Sequence, residues 1–147
     1  VARLYHSVAL VAQDGKVITA GSNPQRKTEK LRIEIFWPPY LFKGSRPEFE
    51  ISTDAVEYGA SRTLTTTAAV REASLMHPTS CTHSRDNTQR LIDLPITATA
   101  PGTLTVSTPS SPALAPPGWY LVVVVDTNGI PSTGHWLRLN PPTPSPV

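Results

Sequence analysis

Tyr5 and His6 are neighbours near the start of the chain, and a second histidine, His83, lies far downstream in Cys81-Thr82-His83-Ser84. A phenol and two imidazoles are donors that suit copper, because Cu(II) favours nitrogen and oxygen ligands in a tetragonal arrangement. Three protein donors leave room for a further ligand and for a substrate. Adjacent side chains of a strand point to opposite faces, so Tyr5 and His6 can both reach one metal only at a strand end or bend. Their place at the mouth of a hairpin permits this. Spacing alone leaves another reading open, in which Tyr5 and His6 pack in a sheet core and His83 is a surface loop residue.

The hairpin that would position the first pair is written in the turn Gln13-Asp14-Gly15, since Asp-Gly supplies the positive φ of a tight connection. It predicts strands over Tyr5 to Ala12 and Lys16 to Ala20. A third strand is predicted over Leu31 to Phe36, where Ile33 and Ile35 alternate with Arg32 and Glu34. Three such strands make most of one β-propeller blade, which needs four. Alone they leave apolar faces uncovered, so residues 1–40 require a partner: the remainder of a propeller, or the region that follows Pro38-Pro39.

Beyond Arg46 the pattern changes to short strands at regular spacing, predicted over Glu48 to Ser52, Leu64 to Ala68, Ser74 to Met76, Leu91 to Leu94, Thr103 to Ser107, Trp119 to Val125 and Trp136 to Leu139. Gly59, Pro101-Gly102, Pro116-Pro117-Gly118 and Asn128-Gly129 punctuate them. Seven short strands of this kind read as an immunoglobulin-like β-sandwich over residues 41–140. The end, residues 141–147, is too rich in proline to pair as a strand and reads as an extended tail or linker. The fold class is all-β. Sixteen prolines in 147 residues, with abundant Thr, Ser and Val, agree with strands and turns rather than helices.

Charge excludes some functions. A net charge of +2 is too small for nucleic-acid binding, and the basic cluster of Arg26, Lys27, Lys30 and Arg32 contains Glu29 and reads as a solvated loop. No apolar run approaches a membrane span, and Leu121-Val122-Val123-Val124-Val125 reads as a buried strand. The single cysteine, Cys81, excludes an internal disulfide and reads as a small buried hydrophobe. The chain starts without Met or a signal peptide, which points to a targeting segment removed or not included.

Two stretches together resemble the copper radical oxidases, the galactose oxidase and glyoxal oxidase family, in their C-terminal part. One is Arg3-Leu4-Tyr5-His6-Ser7 with Asp14-Gly15 and Gly21-Ser22-Asn23-Pro24 after it; the other runs from Cys81-Thr82-His83 to Gln89-Arg90. The resemblance extends from about Arg3 to Leu139. It implies that residues 1–40 are the last strands of a kelch-like propeller and that an early-set sandwich follows, with Pro38-Pro39-Tyr40-Leu41 at the junction. It also implies copper as cofactor, with Tyr5, His6 and His83 as metal ligands. His6 and His83 would be equatorial, and Tyr5 the axial phenolate and catalytic base that takes the alcohol proton. The remaining ligand in the family is a tyrosine cross-linked to cysteine, which holds the radical. That residue belongs upstream, so this chain alone is expected to be inactive and incomplete. Gly21-Ser22-Asn23-Pro24 and Phe36-Trp37-Pro38-Pro39-Tyr40 look closer to glyoxal oxidase-like members.

The implied reaction is oxidation of a small primary alcohol, aldehyde or sugar by dioxygen to give hydrogen peroxide, in a secreted protein. The implied partner is the remainder of the propeller. The competing reading is a non-catalytic extracellular structural or glycan-binding module. Other chemistry is weaker. His83, Ser84 and Asp86 have triad residue types but crowd one loop. His77 and His83 make a conceivable zinc pair without a helix or cysteine pair to support it. His135 reads as structural, and Gln89 and Arg90 as packing and hydrogen bonding behind the His83 loop.

Overall fold

In a computed structural model, residues 3–23, 25, 27–83 and 85–142 are described. The first hairpin pairs β1 (Ser7–Val11) with β2 (Val17–Gly21), and β3 (Glu34–Phe36) adds antiparallel to β2. Its loop is Gln13, Asp14 and Gly15, closed by Gly15 N–H to Ala12 O and Ala12 N–H to Lys16 O, both 2.8 Å. Gly15 takes φ +80°, as the last residue of such a three-residue loop requires.

Two boundaries differ from expectation. β1 begins at Ser7 rather than Tyr5, because the preceding residues form a turn. β3 has three residues instead of the six over Leu31 to Phe36, and Leu31 is 91% exposed. Arg3 is the physical reason for the second difference. Its guanidinium donates to the carbonyls of Gly21 and Arg32 and to the Glu34 carboxylate (2.7 Å), engaging the acceptors that a longer β2–β3 ladder would use.

Pro38 and Pro39 lead into a short 3-10 turn, Pro39–Phe42. The sandwich then follows as β4 (Phe49–Ile51), β5 (Ala55–Val56), β6 (Ser61–Thr66), β7 (Val70–Met76), β8 (Cys81–Thr82), β9 (Arg85–Asp86), β10 (Leu91–Asp93), β11 (Ile96–Ala100), β12 (Thr103–Ser107), β13 (Gly118–Asp126) and β14 (His135–Leu139). One sheet has the order β10-β7-β13-β14-β5, with β5 parallel to β14; the other has the order β11-β12-β6-β4. Side chains alternate across each sheet, so Leu64, Leu104 and Val106 meet Leu75, Tyr120, Val122, Val124, Leu137 and Leu139 in one core. Each large apolar side chain buried there contributes about 1.5–3 kcal/mol.

The expected sandwich is therefore present, with four strands the residue pattern did not reveal. β5, β8 and β9 have two residues each, too few for a period. β11, Ile96-Thr97-Ala98-Thr99-Ala100, is a largely exposed edge strand with a register shift between Ile96 and Ala98, so it lacks a buried apolar row. Pro141 and Pro142 lie outside the strands and are exposed, and the rest of the proline-rich tail is outside the described residues.

The first sheet docks on the sandwich through its hairpin loop. Gly134 N–H donates to Gln13 O (2.9 Å), and Gln13 Nε2 donates to Gly134 O (2.7 Å). Arg46 spans the junction, donating to the carbonyls of Asp14, Pro131 and Ser132. Tyr40 donates its hydroxyl to Gly15 O at 2.7 Å, and burial pushes that phenol up from its ordinary value. The sandwich thus supplies one partner that the sheet needs. Leu31, Ile33, Ile35, Phe36, Trp37 and Phe42 remain exposed.

Candidate metal centre

The Tyr5–His6 pair occupies a turn, not a strand. Ser7 N–H folds back to Leu4 O at 3.2 Å, with Tyr5 and His6 between them, and His6 has φ +60°. A type II turn takes positive φ at that position, where a residue with a Cβ is strained. The turn lets adjacent residues share a side. The Tyr5 and His6 rings lie with centroids 3.8 Å apart and planes at 31°. A bend of this kind is what two neighbouring donors to one metal would require.

His83 directly follows β8, at the tip of the small β8–β9 hairpin rather than on an irregular loop. It too has a left-handed backbone, φ +49°. Among the described residues, four non-glycine positions have positive φ, and two of them are His6 and His83. Such conformations persist where the surroundings impose them, which is common at functional sites. The Thr82 hydroxyl lies 2.9 Å from His83 Nδ1. In the tautomer where Nδ1–H donates to that hydroxyl, Nε2 carries the free lone pair, the arrangement found behind metal-bound histidines.

β8 lies against β1, and a cavity of about 270 Å³ is lined by Arg3, Ser7, Val8, Ala9, Thr19, Cys81 and Asp86. The hairpin carrying His83 is thereby held beside the strand that starts at the Tyr5–His6 turn. Cys81 lines this cleft and is partly exposed, in place of the buried position expected for it.

Hydrogen bonding sorts the aromatic donors. Tyr40, Tyr58 and Tyr120 each donate to a backbone carbonyl, those of Gly15, Ala115 and Pro116. Tyr5 is 59% exposed, and its hydroxyl has no partner among the described residues. His77 directs Nδ1 at Pro78 O (2.8 Å) and packs edge-on against Tyr120, while His135 stacks on Phe49 with centroids at 4.4 Å. These two are structural, which removes the support for a His77–His83 zinc pair. Among the described residues, no three His, Cys, Asp or Glu side chains cluster as a metal site.

The base of the His83 hairpin was not anticipated in detail. Asp86 Oδ1 accepts the N–H groups of Thr88 (3.0 Å) and Ser80 (3.1 Å) and the Thr88 hydroxyl (3.2 Å). Its carboxylate thus braces the loop and is not directed into a triad; Ser84, the proposed nucleophile type, lies outside the described residues. Gln89 and Arg90 have exposed side chains, and Arg90 contributes through its carbonyl to His77 N–H. The backbone N–H of Thr88, then that of Ser80, hold the Asp86 pKa below its ordinary value. The ionised group therefore stabilises the hairpin above the ordinary carboxylate value, and this support is lost as pH falls through the lower folded value. Acid titration should shift the Thr88 and Ser80 amide resonances in that range, and Asp86→Asn should abolish the transition. Amides that stay constant through it would show that Asp86 does not brace the loop.

The sandwich carries the family likeness. Residues 46–139 match the family described as Galactose oxidase-like, Early set domain, and the chain belongs to that family. It is 34% identical to a WSC domain-containing protein of Arthroderma benhamiae, over 95% of this chain and 16% of that protein. It is 32% identical to an aldehyde oxidase, GLOX, of Vitis pseudoreticulata, over 96% of this chain and 31% of the relative. Among solved structures, a fungal alcohol oxidase in complex with copper superposes with a TM-score of 0.84 at 28% identity, over 95% of this chain and 31% of that one. The chain thus spans less than a third of the length of these proteins.

Proposed function

We propose that this chain is the C-terminal portion of a secreted copper radical oxidase that converts small primary alcohols, aldehydes or sugars with dioxygen, giving hydrogen peroxide. The observation that carries the reading is the exposed Tyr5–His6 ring pair at a strained turn, beside a hairpin that presents a second strained histidine. The donor set fits copper: two imidazole nitrogens and a phenol oxygen, with His83 Nε2 free in the tautomer where Nδ1–H donates to the Thr82 hydroxyl. Bound copper would supply a one-electron acceptor and a Lewis acid at this position. His6 and His83 would hold it, and Tyr5 Oη would accept the alcohol proton as general base.

The radical-bearing tyrosine, cross-linked to cysteine, would come from polypeptide upstream of this chain. Residues 1–40 would then be the last strands of a propeller, residues 41–140 its following sandwich and residues 141–147 a tail. The exposed row Leu31, Ile33, Ile35, Phe36, Trp37 and Phe42 supports this, because the remainder of a propeller would cover it. A product as reactive as hydrogen peroxide accords with release outside the cell. Among the described residues, no helix is long and apolar enough to cross a membrane.

One observation favours a non-catalytic glycan-binding module instead. Trp119 and Trp136 stand half-exposed on the five-stranded sheet, edge to face with centroids 6.5 Å apart, and exposed indoles suit sugar stacking. Peroxide release decides between the readings. The complete copper-loaded protein should release peroxide from small primary alcohols or aldehydes, and the 147-residue chain alone should not. A complete protein that binds polysaccharide but yields no peroxide would establish the glycan reading.

A further inference from the structure

We propose that Ser22 is a positioning residue for the Tyr5–His6 pair, with its hydroxyl setting the turn that aims both side chains at one metal. The inference rests on the reading of Tyr5 and His6 as copper ligands.

Ser22 is 4% exposed and takes φ +141°, one of the four positive-φ positions among non-glycine described residues. Its Oγ accepts the Leu4 N–H at 2.9 Å, at the first residue of the turn. Its neighbours complete a cradle. Asn23 N–H donates to Tyr5 O at 2.7 Å. Gly21 lies so close that a Cβ there would stand 2.6 Å from His6 O, and its φ of +68° also disfavours a side chain. Ser22 O receives the Lys30 N–H at 2.9 Å, and the Arg3 guanidinium holds Gly21 O. Each backbone unit from Leu4 to His6 therefore meets a fixed contact on Gly21-Ser22-Asn23.

Within this cradle the Ser22 hydroxyl is the side-chain group that accepts the Leu4 N–H, while the Ser7 hydroxyl donates to Leu4 O at 2.7 Å and the Arg3 guanidinium holds Gly21 O. A buried hydroxyl placed on the backbone N–H that opens the turn leaves that N–H without a partner when removed. The turn then loosens at Leu4 while Asn23 still holds Tyr5 O. The two ring donors would lose their fixed relation, although neither ligand has been altered. This is the behaviour of hydrogen-bond partners that orient metal ligands from behind.

The test uses the complete protein loaded with Cu(II). Ser22→Ala keeps the Cβ and removes the oxygen; Ser22→Gly removes the same oxygen and relieves the positive φ. Both should weaken copper binding by about ten- to a hundredfold and change the copper hyperfine splitting in the electron paramagnetic resonance spectrum. The unfolding temperature of the copper-free variants should stay close to the parental one, showing the fold intact. Parental affinity and hyperfine splitting in either variant would overturn the proposal. His6→Ala, run alongside, separates the two claims: copper binding unchanged in that variant defeats the ligand reading itself, whereas copper lost there but unchanged in Ser22→Ala defeats only the role of Ser22.

Discussion

His83→Ala is expected to strip stoichiometric copper from the complete protein while leaving the stability of the copper-free protein within about 0.5 kcal/mol, the range of surface substitutions that remove no structural feature. The side chain is exposed at the tip of the β8–β9 hairpin, and its contact is the hydroxyl of the adjacent Thr82. The hairpin's own supports are Asp86, Thr88 and Ser80, which the substitution does not touch. Of this chain's donors, His6 and Tyr5 would then remain, both on one turn, and the metal would lose its donor from the β8–β9 side. Elemental analysis after copper loading and thermal unfolding of the copper-free samples check the two halves of the expectation. Full copper occupancy would remove His83 from the ligand set.

Tyr5→Phe should separate binding from chemistry. The phenylalanine ring preserves the stack on His6, and the hydroxyl it lacks has no partner among the described residues, so the turn should persist. With both imidazoles present, copper should remain. Turnover should fall by about 10²–10⁴-fold, the usual contribution of a positioned general base, which corresponds to about 2.7–5.4 kcal/mol in the barrier. Peroxide formation with saturating alcohol measures it. A decrease of less than tenfold would assign the proton to another group.

Why the sandwich was readable and the cradle was not follows from what each depends on. Thr103 to Ser107 alternates Leu104 and Val106 with polar residues, as a half-buried strand does, and Trp119 to Val125 is an unbroken apolar run of strand length, so the pattern discloses both. β12 occupies Thr103–Ser107 as predicted, and β13 extends the other range by one residue at each end. β6 runs over Ser61–Thr66 rather than Leu64 to Ala68, because its only fully buried side chain is Leu64 and Thr63 and Thr65 face outward. The ligand candidates were recognisable as residue types and through the family motifs, but spacing cannot show a positive φ at His6 or His83. Ser22, Arg46 and Gln13 act by hydrogen bonds to distant backbone, which have no period. Arg3 does the same, and by occupying the carbonyls of Gly21 and Arg32 it shortens a strand that the alternation of Ile33 and Ile35 had extended.

Arg46 sits at a fulcrum. It grips the Asp14 carbonyl at one end of the first hairpin, while the Tyr5–His6 turn lies beyond the other end of β1. The five residues of β1 form a lever arm of about 17 Å, so each degree of tilt at the loop swings the far end by about 0.3 Å. Metal–ligand distances tolerate only about 0.2 Å. For the copper donors proposed, the angular stiffness of a guanidinium that grips three carbonyls would therefore add to the Gly21-Ser22-Asn23 cradle in setting how sharply they are aimed, and a softer pin at residue 46 would blur that aim from a distance.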